Sequence, residues 1–126
     1  MSMRESILAA RVSDPQRNAE GVTTLEFRFR GDDPTFAGHF PTRPVLPGVF
    51  QLELVRIAAE LVLNSSLAVR EITKAKFLRP IAPNELVRVD LSLVESDDMI
   101  QARASFVTGG RLAGEASLRL SRSSNP

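Results

Sequence analysis

Residues 49–63 read VFQLELVRIAAELVL, and this stretch decides the fold. Apolar side chains occupy nearly every face of the helical wheel that it forms. A helix of this kind must be buried on most sides. Pro47 suits the start of a helix, where a missing N–H does no harm, and Pro44 blocks an earlier start. With Asn64 at its end, the stretch predicts one long buried helix over residues 47–64.

Most of the remaining chain alternates between apolar and polar side chains with a period of two. Such alternation is typical of strands with one buried face and one solvated face. The clearest runs are residues 25–29, 87–93, 100–106 and 112–120. In the last run, Leu112 shares the parity of Ala116, Leu118 and Leu120 and is expected on the buried face. Residues 7–12 and 69–78 are weaker strand candidates.

The turns between the last three runs predict an antiparallel meander. Asp97-Asp98 and Gly109-Gly110 are short, turn-forming pairs of the kind that connect β-hairpins. One buried helix and five or six mainly antiparallel strands then predict an α+β fold, in which a single sheet curls around the helix. Such a sheet leaves an edge strand exposed, and exposed edges tend to be paired. We therefore expect one hotdog-like domain over residues 1–120 that dimerises through its sheet, with a flexible tail over residues 121–126.

Composition excludes several functional classes. The chain has 126 residues, of which 16 are Lys or Arg and 15 are Asp or Glu, so no net basic field favours nucleic acid. Cysteine is absent and His39 is the only histidine, which excludes thiolate chemistry and multi-histidine metal sites. No apolar run is long enough to span a membrane, and the N-terminus lacks the apolar core of a signal peptide. The expectation is a soluble cytoplasmic protein.

Two features around the helix suggest chemistry. Glu53, Arg56, Glu60 and Asn64 form one polar stripe, which is either a solvated face with a Glu53–Arg56 ion pair or a place for a working carboxylate. The preceding loop is stiffened by three prolines and holds His39 beside the helix N-terminus. Unpaired N–H groups at that terminus can stabilise a developing negative charge.

A family resemblance joins these features. Residues 38–49 read GHFPTRPVLPGV, and Glu53 follows 14 positions after His39. This resembles the signature of the (3R)-hydroxyacyl-acyl-carrier-protein dehydratases of fatty-acid synthesis, the FabZ type. Residues 75–83, AKFLRPIAP, are similar to a second family segment. The resemblance implies a hotdog dimer and a lyase that converts a (3R)-3-hydroxyacyl thioester to the trans-2-enoyl thioester.

The resemblance also implies residue roles. His39 would be the base that removes the C2 proton, and Glu53 would hold and protonate the departing C3 hydroxyl. The backbone N–H of Gly48 would bind the thioester carbonyl. Further substrate contacts would come from Phe40, Pro47 and Val49. The histidine of one subunit would meet the acid of the other. No metal or organic cofactor is required, and the implied partner is an acyl carrier protein bearing the acyl-phosphopantetheine.

This chain departs from the family pattern beside the acid. Ile57 replaces the usual glutamine, and Asn84-Glu85 replaces a Gly-Asp turn. Arg56, three positions after Glu53, is a cation that favours an ionised carboxylate and so opposes an acid role. Two alternatives therefore stay open: a hotdog acyl-thioesterase with a carboxylate base or nucleophile, and a non-catalytic acyl-thioester-binding protein. A coenzyme A thioester is the alternative to the carrier-protein substrate.

Overall fold

A computed structural model describes residues 2–33, 36 and 45–123 of the chain. It contains two helices and six strands. In chain order these are α1 (Met3–Ala10), β1 (Gln16–Arg17), β2 (Thr23–Arg28), α2 (Gly48–Leu63), β3 (Leu67–Phe77), β4 (Leu86–Ser96), β5 (Met99–Thr108) and β6 (Arg111–Arg122). The predicted residues His39 and Phe40 lie outside the described residues, as do residues 124–126 of the predicted tail.

The central helix α2 is buried as predicted. It begins after Pro47, which has extended backbone angles, and ends at Asn64, which adopts the left-handed conformation with φ of 51°. Its side chains at Leu54, Val55 and Ile57 have no solvent exposure. The helix is apolar on most faces, and these faces are buried against the sheet and against α1. The predicted α+β hotdog architecture, a sheet of six strands around one long helix, is confirmed.

The sheet is antiparallel throughout, in the order β1-β2-β4-β5-β6-β3. Strands β4, β5 and β6 form the predicted meander. Its two turns contain Asp97, with φ of 49°, and the pair Gly109 and Gly110, with φ of 56° and 75°. Positive φ at these positions suits the tight turns that match the twist of a hairpin. The core faces of the strands lie against α2, as the alternation predicts.

The strand predicted for residues 7–12 is wrong, because residues 3–10 form helix α1. The Ser2 hydroxyl accepts a hydrogen bond from the Glu5 amide, and the Glu5 carboxylate accepts one from the Ser2 amide. This capping box satisfies two otherwise unpaired donors at the helix start. Ile7 and Ala10, three positions apart, are the buried apolar residues of one helix face. The short apolar run is compatible with both the helical repeat and the strand repeat, and the capping box favours the helix.

Leu112 does not lie on the buried face where it is expected, because β6 contains a β-bulge. The pairing of β5 with β6 shifts between Phe106 and Val107, so that Phe106 faces Gly114 while Val107 faces Leu112. The extra residue, Ala113, is fully buried, and Leu112 is 39% exposed. One inserted residue exchanges the two faces of a strand, which is why the parity of Leu112 is misleading.

The last strand is longer than the predicted domain. β6 continues to Arg122, and Ser121 pairs with Met99 on one side and Ala68 on the other. The boundary expected at residue 120 therefore falls inside a paired strand. Within the described ranges no helix has the length and apolarity required to cross a membrane.

Strand β3 is the longer of the two edge strands of the sheet, and it is exposed as predicted. It pairs with β6 along one side only, and all but its first two residues are exposed. Large apolar side chains are among them: Val69, Ile72 and Phe77 are 39%, 51% and 49% exposed. An apolar, unpaired edge strand is a surface on which another strand can pair.

Candidate active site

The two segments that carry the family resemblance meet in space. The Leu46 amide donates to the Ile81 carbonyl at 2.8 Å, which holds the chain before α2 against the chain after β3. Between them lies a groove of about 500 Å³. Its walls are Val45, Leu46, Pro47, Gly48, Gln51, Phe77, Leu78, Arg79 and Pro80. The groove is therefore mostly apolar, with a helix N-terminus on one wall.

Pro47, Gly48 and Val49 occupy the start of α2. Pro47 is the N-cap, and its carbonyl accepts from the amides of Phe50 and Gln51 at 3.0 and 3.1 Å. Gly48 is the first helical residue, and no carbonyl earlier in the helix can accept a hydrogen bond from its amide. Val49 is 63% exposed. The contact of the Gly48 N–H with a thioester carbonyl, which the family resemblance implies, stays a prediction.

Gln51 is a functional candidate that no motif in the sequence indicates. Its side chain is 3% exposed and lines the groove. The Nε2 group donates to the Leu46 carbonyl at 3.1 Å, whereas Oε1 is buried and has no hydrogen-bond partner in the described part of the chain. A buried polar atom without a partner is rare and calls for an explanation. In the sequence Gln51 stands among apolar helix residues, and nothing there indicates that its side chain oxygen is buried without a partner.

Glu53 forms the predicted ion pair with Arg56. Arg56 Nε donates to Glu53 Oε2 at 3.0 Å, and Arg56 Nη2 contacts Glu53 Oε1, so both carboxylate oxygens are engaged. The Glu53 and Arg56 side chains are 24% and 20% exposed. Hydrogen bonding to Glu53, opposed by burial and aided by the charges of Glu53 and Glu60, raises the pKa of Arg56 above its ordinary value. Arg56 is therefore a permanent cation beside the candidate acid.

The same arginine is anchored on its other side by Glu60. Arg56 Nη1 donates to Glu60 Oε2 at 3.0 Å and to the Leu67 carbonyl at 3.1 Å. Glu60 is buried and also pairs with Arg4 of α1 at 2.5 Å and accepts from the Leu67 amide at 2.8 Å. The predicted solvated stripe is thus a partly buried network. The sequence does not show it because Arg4 lies 56 positions from Glu60.

Helical geometry separates Gln51 from Glu53. Successive helix residues turn by about 100°, so side chains two positions apart point to nearly opposite sides. Gln51 faces β6, where an ideal Cβ on Gly114 would lie 3.6 Å from Oε1. Glu53 instead faces Arg56 and the chain that leads into β3. Within one chain, the groove and the carboxylate are therefore on different sides of α2.

Two further features of the described residues do not contribute to this site. A hollow of about 530 Å³ lies over polar residues of the sheet, including Lys74, Asp90, Gln101 and Arg103. Its strand residues alternate with core residues, so it opens on the face away from α2. Nowhere in the described ranges do three or more carboxylate or histidine groups gather in a way that could hold a metal ion.

Comparisons with known proteins agree with this fold and these segments. Residues 15–112 match the model of the ApeI-like family, described as ApeI dehydratase. A 3-hydroxyacyl-[acyl-carrier-protein] dehydratase FabZ of Alkalilimnicola ehrlichii is 38% identical over 101 residues, covering 70% of this chain and 64% of that protein. A protein of the same name from Rickettsia massiliae is 30% identical over 112 residues, covering 82% of this chain and 74% of that one.

A solved structure shows the same architecture. The dehydratase heterocomplex ApeI:P from Xenorhabdus doucetiae contains a chain that superposes with a TM-score of 0.72 at 22% identity, covering 89% of this chain and 96% of that one. Fold and sequence together define a member of a dehydratase family with the hotdog fold. The chain belongs to the ApeI-like dehydratase family.

Proposed function

We propose that this protein dehydrates a (3R)-3-hydroxyacyl thioester to the trans-2-enoyl thioester. The observation that carries the proposal is the groove in which the two family segments meet at the N-terminus of α2. Membership of a dehydratase family and the likeness to FabZ-named relatives support the reaction class. We propose that an acyl carrier protein carries the substrate, because the names of those relatives include this carrier. The proposed compartment is the cytoplasm.

The elimination needs a base, an acid and an oxyanion stabiliser. His39 takes the proton from C2, and the electron pair moves into the thioester as enolate character grows. The Gly48 amide, with Pro47 fixing the helix start, donates to the thioester carbonyl. Glu53 gives a proton to the C3 hydroxyl, the C3–O bond breaks, and water leaves. Phe40 and Val49 are assigned to the walls that hold the acyl thioester.

The active site is proposed to be shared between two subunits. Gly48 and Gln51 face the groove, whereas Glu53 of the same chain lies on another side of α2. A second copy paired through the exposed edge of β3 would supply the missing carboxylate. Arg56 keeps Glu60 and the Leu67 carbonyl as partners when Glu53 turns toward substrate. When Glu53 exchanges partners, Arg56 therefore keeps Glu60 as a charged partner through Nη1.

A thioesterase is the second candidate. Arg56 engages both oxygens of Glu53, which suits a carboxylate acting as a base. One assay separates the candidates: a 3-hydroxybutyryl thioester yields enoyl product with a dehydratase, free acid with a thioesterase, and neither with a binding protein.

The variants His39→Ala and Glu53→Gln test the residue roles. Each is expected to lower dehydration at least about a hundredfold, the low end of a general acid–base contribution. Glu95→Gln, which changes an exposed carboxylate paired with Arg122, is the matched control and should retain wild-type turnover. Near-normal turnover by a folded His39→Ala protein would refute the assignment.

A further inference from the structure

The Gln51 side chain, whose Oε1 has no partner among the described residues, lines the same groove as the Gly48 amide. The Gly48 amide and the Gln51 side chain are three positions apart, so they lie on one face of the first turn of α2. Both line the groove. A ligand that matches this wall carries an acceptor for the Gly48 N–H and a donor for Gln51 Oε1. A thioester carbonyl with a hydroxyl further along the acyl group has both.

We infer that Gln51 binds the hydroxyl of the acyl thioester, accepting its hydrogen at Oε1. This inference rests on the proposed function and names the group that recognises the substrate before the reaction. Gln51 is 3% exposed and Oε1 has no partner among the residues described, so an alkyl chain in its place would leave the acceptor unpaired. Leaving one buried polar group unpaired costs about 1–3 kcal/mol, which corresponds to about 5- to 150-fold in affinity.

The side chain is held in the orientation that this role requires. Nε2 donates to the Leu46 carbonyl at 3.1 Å, which fixes the amide and directs Oε1 away from the helix start. Gly114 is the neighbour of Oε1 on β6, where a Cβ would be in ordinary van der Waals contact with Oε1 at 3.6 Å. The glycine cannot be filled by a side chain, because the same Cβ would lie 2.7 Å from the Lys76 carbonyl oxygen. The Lys76 carbonyl therefore keeps the position beside the acceptor free of a second side chain.

The proposed contact is also compatible with the proton transfers of the elimination. The hydroxyl hydrogen stays on its oxygen throughout and is hydrogen-bonded to Gln51 Oε1. A lone pair of that oxygen is then directed to the second proton, which comes from Glu53. The C3–O bond breaks and water leaves with both hydrogens. The enoyl product has no hydroxyl at C3, so the contact distinguishes substrate from product.

The test compares two ligands in a background that cannot turn them over. Binding of 3-hydroxybutyryl-pantetheine and butyryl-pantetheine is measured by calorimetry in the His39→Ala protein, alone and combined with Gln51→Met, Gln51→Glu or Gln101→Met. Methionine keeps the volume without the acceptor, and glutamate keeps an acceptor. Gln101 lies on the sheet face away from α2 and is the control.

The expected result is a preference of about 5- to 150-fold for the hydroxyacyl ligand in the background protein and with Gln101→Met. The preference should fall to near unity with Gln51→Met and persist with Gln51→Glu. A preference that persists with folded Gln51→Met, or that is absent from the background protein, overturns the inference. Equal weakening of both ligands by Gln51→Met also overturns it and assigns the acceptor to the pantetheine amides.

Turnover of the 3-hydroxyacyl thioester by the wild-type protein separates the two possible failures. With turnover present, any of the contrary results rejects only the role of Gln51. With neither turnover nor binding of either thioester, the proposed function fails and the role of Gln51 fails with it. If Gln51→Met does not fold, as judged by thermal unfolding, Gln51→Leu takes its place in the comparison.

Discussion

The ring of Phe77 lies against the backbone of Gly48 so closely that a Cβ on Gly48 would be 2.8 Å from ring atom Cε2. The end of β3 therefore packs directly on the first residue of α2. This contact explains why glycine stands at the helix start, where its φ is otherwise unexceptional. It also joins the two walls of the groove at the point where the thioester carbonyl is proposed to bind.

Gly48→Ala is expected to impair activity more than stability. Alanine gains about 1 kcal/mol of helix propensity over glycine, which offsets part of the clash. The Phe77 ring is half exposed and can move, but it moves into the groove. We expect kcat/KM to fall at least about tenfold, since small misplacements near reacting atoms have large effects. Steady-state kinetics of the single variant and of Gly48→Ala/Phe77→Leu check this. The double variant should recover activity, and failure to recover would show that the ring is not the cause.

Gly114→Ala is expected to destabilise the fold. The added Cβ would lie 2.7 Å from the Lys76 carbonyl oxygen, and a strand backbone cannot move as a side chain can. We expect a loss of about 2 kcal/mol or more in the free energy of unfolding, measured by urea denaturation. Gly31→Ala is the matched control, because its nearest neighbour is the Asn84 side chain at 3.4 Å. That control should stay within about 0.5 kcal/mol of wild type. Equal effects from both would contradict the steric explanation.

Glu60→Gln tests the buried end of the charge network. A neutral amide cannot balance Arg4 and Arg56, so both guanidinium groups lose a charged partner. We expect a loss of about 1–3 kcal/mol in the free energy of unfolding. Glu115→Gln removes a more exposed carboxylate from its pair with Lys74 and should change stability much less. Chemical denaturation of both variants at one pH makes the comparison, and a smaller effect at Glu60 would refute it.

Ile72→Glu is expected to weaken self-association. Ile72 is 51% exposed on β3, and a charge on an apolar edge strand disfavours pairing with another strand. Light scattering coupled to size-exclusion chromatography should show a shift from dimer toward monomer. Val94→Glu, at a residue 64% exposed on β4, is the control and should leave the dimer intact. A wild-type protein that is monomeric at micromolar concentration would refute the prediction.

Mixing two inactive variants tests the shared site. His39→Ala and Glu53→Ala proteins are combined and allowed to exchange subunits. Random pairing makes about half of the dimers mixed, and each mixed dimer has one intact site of two, so activity should return to about a quarter of wild type. If both residues acted within one chain, every site would lack one of them. Confirmed exchange without recovered activity would therefore place both residues in one subunit.

The strands and the central helix were predictable because they are long and strongly periodic. Residues 25–29 and 87–93 alternate without interruption, and α2 has apolar side chains on nearly every face. The α1 helix was not predictable from periodicity, because residues 7–10 are too few to distinguish the two periods. The inversion at Leu112 was not predictable either, since a bulge is set by the pairing of β5 with β6.

The site was predictable to the extent that its determinants are local in sequence. The helix start at Gly48 and the Glu53–Arg56 pair follow from motif and spacing, and the structure contains both. The burial of Glu60 depends on Arg4, which reaches it only in the folded chain. The unpaired oxygen of Gln51 depends on which groups surround it in three dimensions. Residue type alone gives no indication of either.

The position of β3 has a consequence for the order in which the chain can fold. β3 precedes the meander in sequence, yet its partner in the sheet is β6, the last strand. During synthesis, residues 67–77 have no strand to pair with until residues 111–122 have emerged from the ribosome. The apolar helix α2 is also made before β4, β5 and β6, so for part of synthesis most of the sheet that covers it is missing. The nascent chain thus passes through a stage at which unprotected apolar surface and an unpaired strand coexist, the condition that calls for chaperones.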